Sequence, residues 1–453
     1  MNIFGANEEK NNFYRRLLTI AIPIIIQQVV AISLNLIDTL MIGFVGEAEL
    51  AAVGAANQMF GIYVVTCYGL YSGATVFTAQ YWGVRDIKNI RKVLGIEYLT
   101  GAVLSLIFVA IAIFFPSRII SVFSRDPHVI AVGAEYLRTI CPSYFLFAFS
   151  FAITFNSRAI QKLKVATAVN ASALAVNTFL NYCLIFGKFG FPELGVRGAA
   201  VATVIARLIE LLALLIYIYN SKDHPFRAKF RELINYDFAT FSSTMRTVMP
   251  VVINESAWSV ATAGIFAIYG IIGVSALAVI QVANVVGQMF MAAYFGIGNA
   301  SLVLIGEALG RKEIERAHDY SKMVLKTSWV ISFILAVILF LTSKPIAGIY
   351  DFSPETTEIL VLTIKAWSLA LIPKAMSYIY ICGILRAGGD TFYCMIVEIV
   401  INLLIKILLA LAAVVLLNFP IYLALLIVSI GDALEVFITY RRYRSKKWAK
   451  TVI

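Results

Sequence analysis

Long apolar runs decide what this chain can fold into. The first run, Leu17–Phe44, exceeds the roughly 20 mostly apolar residues that cross a bilayer as an α-helix. The chain is 60% hydrophobic and 14% charged, whereas soluble domains carry about 25% charged residues. The sequence therefore predicts an all-α integral membrane protein. Its twelve predicted transmembrane helices are at 17–43, 53–80, 93–115, 130–156, 165–187, 194–219, 243–270, 276–305, 322–344, 358–384, 391–416 and 420–440.

The distribution of positive charge predicts the orientation of the chain. Lys and Arg concentrate in the connections that follow even-numbered spans, and two of the opposite connections contain neither residue. Because cytoplasmic loops carry this excess, we expect a multi-pass protein of the cell (plasma or inner) membrane with both termini cytoplasmic. The net charge of +11 lies in these connections and in the C-terminal segment, so we expect the lipid bilayer, and no nucleic acid, as a partner. The charged N-terminal segment leads into a full-length span, which predicts no cleavable signal peptide.

The two halves of the chain resemble each other. A shift of 227 residues aligns Pro23 with Pro250 and also AQYWGVRD with GEALGRKE, without a gap between them. Two six-span halves inserted the same way up are typical of transporters with parallel repeats. We therefore predict two six-helix lobes related by pseudo-two-fold symmetry along the membrane normal. The predicted domains are an N-lobe (1–219), a cytoplasmic inter-lobe linker (220–242), a C-lobe (243–440) and a basic cytoplasmic tail (441–453).

The first span carries a polar stripe within its apolar sequence. Gln28, Asn35 and Asp38 are spaced by seven and three residues, so they share one face of a helix. A carboxylate inside a membrane helix is costly and usually faces a protein interior or a water-filled path. Asp38 is therefore a candidate functional residue. The alternative is an aspartate at a helix end, located among the lipid headgroups.

The fifth span contains a series of asparagines. Asn177 and Asn181 are four residues apart, and Asn170 lies one heptad earlier. Amide oxygens together with a carboxylate and a hydroxyl form a set of hard oxygen ligands suited to Na⁺, or hydrogen-bond partners for a proton-carrying aspartate. Asparagines also join membrane helices through hydrogen bonds, and spacing alone favours that structural role.

Charged residues also occur within the spans of the second half. Glu255 and Trp258 lie three residues apart on one face, a combination that attracts an organic cation. The alternative is a neutralised glutamate beside a lipid-facing tryptophan. Lys374, Glu398 and Lys406 lie in the tenth and eleventh spans. A buried lysine requires a carboxylate partner, for which Glu255 and Glu398 are the candidates, unless Lys374 extends to an interface.

Two further acid-containing pairs lie near the predicted cytoplasmic helix ends. Arg207 precedes Glu210 by three residues, and Asp432 precedes Glu435 by the same spacing. Neighbours at this spacing on a helix interact locally, so both pairs are interpreted as structural.

Four segments resemble a known family. They are NLIDTLMIGFVGEAELAAVG from Asn35, AQYWGVRD, NTFLNYCLIFGKFGFPELGVRGAAVAT from Asn177, and LRAGGDT from Leu385. Together they are similar to multidrug and toxic compound extrusion (MATE) transporters, more to the NorM-like than to the DinF-like branch. The resemblance implies a two-lobe exporter driven by inward H⁺ or Na⁺ that usually expels cationic, amphipathic compounds. It also implies a cation site, with Na⁺ as one occupant, at Asp38, Asn177, Asn181 and Thr203.

The chain departs from the NorM-like pattern on the tenth helix. A second C-lobe carboxylate of that branch aligns with Ala375, next to Lys374. A lysine here could pair with Glu255, which weakens the case for Na⁺ in the C-lobe and moves the expected ion coupling to Asp38. It also makes an anionic or zwitterionic substrate more plausible. The expected residues of the C-lobe cavity are Glu255, Trp258, Lys374 and Glu398.

The sequence thus predicts a secondary active antiporter that exports organic compounds in exchange for H⁺ or Na⁺ by alternating access. We expect no cofactor, because the five cysteines and three histidines provide no metal-binding pattern. We also expect a monomer, since nothing in the sequence requires an oligomer. The alternative is a lipid-linked saccharide flippase of the same superfamily, which tends to place several arginines in its central cavity. An intramembrane enzyme is not expected, since no HExxH, GxSG or paired aspartates in facing helices occur.

Overall fold

A computed structural model describes residues 3–350 and 352–453, with side chains for these except at 3–10, 34, 36 and 274. The described residues form helices joined by short connections and contain no strand. Its longer helices are α1 (Ile3–Gly43), α2 (Glu47–Gly83), α3 (Ile87–Phe114), α5 (Pro127–Ile140), α6 (Pro142–Ala159), α7 (Leu163–Phe186), α8 (Gly195–Asn220), α10 (Phe238–Tyr269), α11 (Val274–Gly310), α12 (Ile314–Leu341), α14 (Pro354–Tyr378), α15 (Thr391–Glu398) and α17 (Ile421–Arg444). Short helices are α4 (Pro116–Ser121), α9 (Phe230–Leu233), α13 (Ser343–Ala347) and α16 (Ile407–Leu411).

The described helices confirm an all-α protein with twelve candidate membrane spans. Eleven are long and apolar enough to cross a bilayer, and α5 with α6 makes the twelfth as a pair bent by 47°. The sequence predicted a continuous span at 130–156, and the structure corrects this. Pro142 has no N–H to donate to the carbonyl of Arg138, and the Cys141 thiol donates to that carbonyl instead, at 3.2 Å.

The tenth and eleventh spans contain wider, π-helical turns. They are at Ile379–Leu385, Ile399–Lys406 and Ala412–Leu416. Such turns are rare and occur frequently at functional sites. Here the first precedes a buried arginine and the second contains a buried lysine, both of which belong to the charged clusters described below.

The described residues form two compact units. The Asp38 unit comprises Ile26–Thr78 and Asp86–Met245, in which α5, α6 and α7 pack against α8. The Lys374 unit comprises the described residues of Met1–Ile25, Ala79–Arg85 and Arg246–Ile453, in which α14 packs against α11, α12 and α17. Apolar residues from these last helices form its core. The lobe boundaries given above remain a prediction.

Within the Lys374 unit, the ends of α2 and α11 cross, and each helix contributes a glycine to the contact. A Cβ on Gly83 would lie 2.3 Å from the carbonyl oxygen of Glu307, and one on Gly310 would lie 2.0 Å from that of Gln80. These four residues are two of the pairs aligned by the 227-residue shift. The Glu307 carboxylate also accepts hydrogen bonds from Arg16 and from Arg311, the latter at 2.6 Å.

The C-terminal segment packs against this crossing. Trp448 is fully buried. Thr451 donates to the carbonyl of Leu309 at 3.0 Å, and the Val452 N–H donates to the Gln80 side-chain oxygen at 2.8 Å. The segment predicted as a basic tail therefore anchors the ends of α2 and α11.

Gly310→Ala is expected to lower the free energy of unfolding by about 1–3 kcal/mol, because its methyl group would collide with backbone. The measurement is thermal unfolding of the detergent-solubilised protein. The control is Gly264→Ala in α10, where a Cβ would meet only Ile407 at 3.7 Å. Equal thermal stability of the two variants would contradict the assigned packing.

His224, in the connection between α8 and α9, is buried among aromatic rings. Its ring packs edge-on against Tyr217 and Phe226, and its Nδ1 accepts the Phe226 N–H at 3.3 Å. Burial, together with the positive charge of Lys162, lowers the pKa of His224 to about 4. The folded protein therefore holds this ring neutral.

The lowered pKa predicts an acid-sensitive fold. Between the ordinary histidine pKa of about 6.5 and the folded value, the unfolded chain binds a proton that the folded chain does not. The stability contributed by neutral His224 is thus present above that range and is lost as the pH falls through it. Melting temperatures recorded across this range should fall less steeply for His224→Phe than for wild type. His128→Gln, at an exposed site, should reproduce the wild-type slope.

Candidate functional site

The Asp38 unit contains a cavity of about 360 Å³. All four residues of the predicted cation site line it: Asp38 on α1, Asn177 and Asn181 on α7, and Thr203 on α8. The structure brings together side chains that are up to 165 residues apart in the numbering of the sequence.

Hydrogen-bond donors of α7 converge on the Asp38 carboxylate. The Asn181 amide donates to Oδ1 at 2.9 Å, and the Thr178 hydroxyl lies 3.4 Å from the same oxygen. One orientation of the Asn177 amide gives both of its polar atoms a hydrogen-bond partner. In that orientation the nitrogen donates to Asp38 Oδ2 at 3.0 Å, and the oxygen accepts the Thr203 N–H at 3.3 Å. These contacts orient the carboxylate inside the cavity, and they also join α1 to α7 as the structural interpretation of the asparagines expected.

Among the described residues, Asp38 has no ion-pair partner within 4.0 Å. The Asn181 side-chain oxygen is buried beside it and has no hydrogen-bond partner among those residues. A carboxylate that lacks a countercharge can take up a proton. With amide and hydroxyl oxygens beside it, it can instead hold a small hard cation.

Sequence reasoning missed part of this site. Thr178 follows Asn177 directly, and consecutive residues on a helix point in different directions, so spacing gave no reason to include it. Arg207 and Glu210 form the expected pair at 2.7 Å, yet both line the same cavity. In the orientation of the Asn170 amide that gives its polar atoms hydrogen-bond partners, the nitrogen donates to the Glu210 carboxylate at 2.9 Å. This contact connects the Arg207–Glu210 pair to α7.

The Lys374 unit contains a second, smaller cavity of about 90 Å³. Two of the four predicted residues, Trp258 and Lys374, line it. Glu255 and Glu398 do not, so the structure corrects that part of the prediction. The physical reason is that spacing gives the face of a helix but not which neighbour that face packs against.

Among the described residues, neither candidate glutamate pairs with Lys374. Glu255 accepts a hydrogen bond at 2.9 Å from Arg386, which is only 1% exposed. Glu398 accepts from the amide of Asn402. The Lys374 ammonium lies instead 5.3 Å from the ring centroid of Trp367. Arg386 belongs to the LRAGGDT motif, which sequence reasoning placed at a helix end and did not consider as a partner.

A buried charged cluster surrounds Lys406. Its ammonium donates to Asp432 at 2.6 Å and to the Asn402 oxygen at 2.7 Å, and Glu435 lies at 3.8 Å. The acids interpreted as a local pair at a helix end therefore compensate a lysine from another helix. Because each removed partner would leave a buried charge uncompensated, this cluster restricts how α17 packs against the eleventh span.

A double-mutant cycle tests the corrected pairing. Glu255→Gln and Arg386→Met should show a coupling energy of about 0.5–3 kcal/mol in thermal or chemical unfolding, since each removes one side of a shared contact. Glu255→Gln combined with Lys374→Met should be additive. Coupling in the second cycle and none in the first would restore the original prediction.

Comparisons with known proteins agree with this architecture. The MatE family profile matches residues 23–183 and 250–436, which together make up most of the chain. The probable multidrug resistance protein NorM of Thermotoga maritima is 26% identical over 405 residues, covering 87% of this chain and 84% of that protein. The probable multidrug resistance protein YoeA of Bacillus subtilis is 24% identical over 400 residues, covering 86% and 85%.

Solved structures share the fold. A MATE crystal structure in complex with MaL6 superposes with a TM-score of 0.87 at 17% identity, covering 95% of this chain and 96% of that one. A MOP superfamily transporter from Pyrococcus furiosus, described as having a binding pocket of reverse polarity that suggests a different function, has a TM-score of 0.84 at 17% identity over 95% of each chain. The twelve candidate spans of this chain and its two matches to the family profile together show that it is a multi-pass membrane protein of the MatE family of multidrug transporters.

Proposed function

We propose that the protein is a secondary active antiporter that exports organic compounds in exchange for H⁺ or Na⁺ by alternating access. The observation that carries this proposal is the Asp38 carboxylate, which lines a cavity without an ion-pair partner among the described residues. Family membership supports transport, and the names of the relatives support small organic substrates.

Asp38 supplies a physical basis for coupling. An ionised carboxylate in an apolar membrane interior is costly, and the donors of Asn177, Thr178 and Asn181 offset part of that cost. Binding of H⁺ or Na⁺ removes or balances the charge, so the loaded and empty states favour different arrangements of α1 against α7. Coupling requires this differential stabilisation of two states.

The distribution of Lys and Arg supports the proposed orientation. We infer that both termini are cytoplasmic and that the protein resides in the plasma or inner membrane. We also propose that it works as a monomer. The Asp38 cavity has one formal negative charge in excess, from Asp38 and Glu210 against Arg207. This supports a cationic substrate or coupling ion at this site.

The observations favour an exporter over a lipid-linked saccharide flippase. The described cavities contain one arginine, Arg207, and it is already paired with Glu210 at 2.7 Å. A cavity for pyrophosphate-linked saccharides would require several arginines free to bind phosphate.

Asp38→Asn is expected to reduce efflux of ethidium from proteoliposomes to the protein-free background. The amide preserves shape but cannot carry H⁺ and binds Na⁺ weakly. Efflux would be measured under an imposed pH gradient and, separately, an imposed Na⁺ gradient, and the gradient that drives wild-type efflux identifies the coupling ion.

The matched control is Asp319→Asn, because Asp319 is 59% exposed and pairs only with Lys322 at 3.0 Å among the described residues. It should transport as wild type does. The melting temperature of Asp38→Asn should remain near the wild-type value. Undiminished efflux by folded Asp38→Asn under both gradients would refute the proposed mechanism.

A further inference from the structure

The connection between α8 and α10 is folded against the rest of the Asp38 unit. It comprises residues 221–237 and contains the short helix α9. Its Phe226 side chain is buried. The Arg91 guanidinium of α3 donates to the carbonyl of Pro225 at 3.0 Å and to the Glu232 carboxylate at 2.9 Å. These contacts hold the connection beside α3, so its exposed side chains have a defined position.

The contact between α9 and α3 determines the depth of the connection. A Cβ on Gly95 of α3 would lie 1.8 Å from the carbonyl oxygen of Leu233, so only glycine allows this approach. Leu99, four residues further along, is the first apolar residue of α3 with an exposed side chain. Four helical residues span about 6 Å, close to the thickness of the headgroup layer on one side of a bilayer. The α9 helix therefore lies at the level of the lipid headgroups.

Three large apolar side chains of the connection and of the start of α10 are exposed. Phe230 and Ile234 lie four residues apart at α9 and are 76% and 53% exposed, and Phe238 is 83% exposed. Contact of such side chains with water is unfavourable. The boundary between headgroups and acyl chains removes them from water and still leaves neighbouring charged side chains hydrated.

Basic residues accompany these apolar side chains. The connection and the first part of α3, residues 86–95, together contain seven basic and four acidic residues, which leaves three positive charges in excess. The acidic residues are Asp86, Asp223, Glu232 and Asp237. Glu232 is engaged by Arg91, and Asp237 accepts the Thr240 N–H at 3.0 Å. Among the described residues, no carboxylate lies within 4.0 Å of the four basic side chains of the connection, Lys222, Arg227, Lys229 and Arg231.

We propose that the surface formed by residues 221–238 binds the phosphate groups of anionic phospholipids. Its Lys and Arg side chains donate charge-assisted hydrogen bonds to phosphate oxygens, while its apolar side chains enter the boundary with the acyl chains. The level of α9 favours lipid over a soluble acidic protein, because lipid headgroups already surround the exposed side chains there. This binding site goes beyond the proposed antiport, since none of its residues lines the Asp38 cavity.

The proposed depth is tested with a dye at residue 230. Phe230→Cys would carry an environment-sensitive nitrobenzoxadiazole label in the full-length protein, whose five native cysteines are buried. In vesicles of phosphatidylcholine and phosphatidylglycerol, lipids spin-labelled near the headgroup should quench this dye. The matched control is Lys88→Cys, seven residues before Gly95 and about 10 Å farther from the bilayer along α3, which should be quenched weakly. Equal quenching at the two sites, or none at Phe230→Cys, would overturn the proposal.

The proposed charge recognition is tested by comparing two spin-labelled lipids at the same mole fraction. Phosphatidylglycerol should quench the dye of Phe230→Cys about twofold or more better than phosphatidylcholine, because basic side chains near the surface attract anionic lipid. Replacing all four basic residues of the connection together should abolish the difference: Lys222→Gln, Arg227→Gln, Lys229→Gln and Arg231→Gln. The matched control removes four exposed charges of the C-terminal segment and should retain the difference: Arg441→Gln, Arg444→Gln, Lys446→Gln and Lys447→Gln.

A salt titration repeats the comparison without removing any basic residue. NaCl at about 1 M shortens the Debye length to about 3 Å, so it should reduce the preference for phosphatidylglycerol and leave the depth of the dye unchanged. Equal quenching by the two lipids at low salt would refute the lipid site. A preference that persists after the four replacements in the connection would refute it as well. Neither result bears on gradient-driven efflux, which is measured separately with Asp38→Asn.

Discussion

Compensation of charge within an apolar interior is the constraint on which this structure depends. Coulombic interactions strengthen as the local dielectric constant falls, and the desolvation of each ion becomes correspondingly costly. Arg386 and Lys406 are buried, and each contacts a carboxylate within 3 Å. Because these contacts connect different helices, they restrict how the helices of the Lys374 unit can pack.

Two charged groups depart from this pattern, and both line cavities. Asp38 and Lys374 have no described ion-pair partner within 4.0 Å, and each contacts polar or aromatic groups that orient it. A cavity admits water, ions or solutes that can supply the missing charge. The proposal of a coupling site at Asp38 follows from this physical argument.

Backbone packing adds a second constraint. Gly83 and Gly310 let α2 and α11 approach until Cβ atoms would overlap the opposite carbonyl groups, and the buried Trp448 anchors the C-terminal segment nearby. Only glycine permits this approach, since any side chain would collide with backbone that cannot move aside. The pair was visible in the sequence as two aligned positions, although contact between them was not.

The sequence by itself determined the fold class, the number of spans and the family, because apolar length and the NLIDTLMIGF-type motifs are local properties of the chain. It also predicted that Asp38, Asn177, Asn181 and Thr203 belong together, through the family resemblance. It did not determine which buried charges pair. Glu255 contacts Arg386 and not Lys374, and the fourth span bends at Pro142. Such pairings depend on the rotation and depth of helices far apart in sequence, which helical spacing does not specify and only tertiary packing decides.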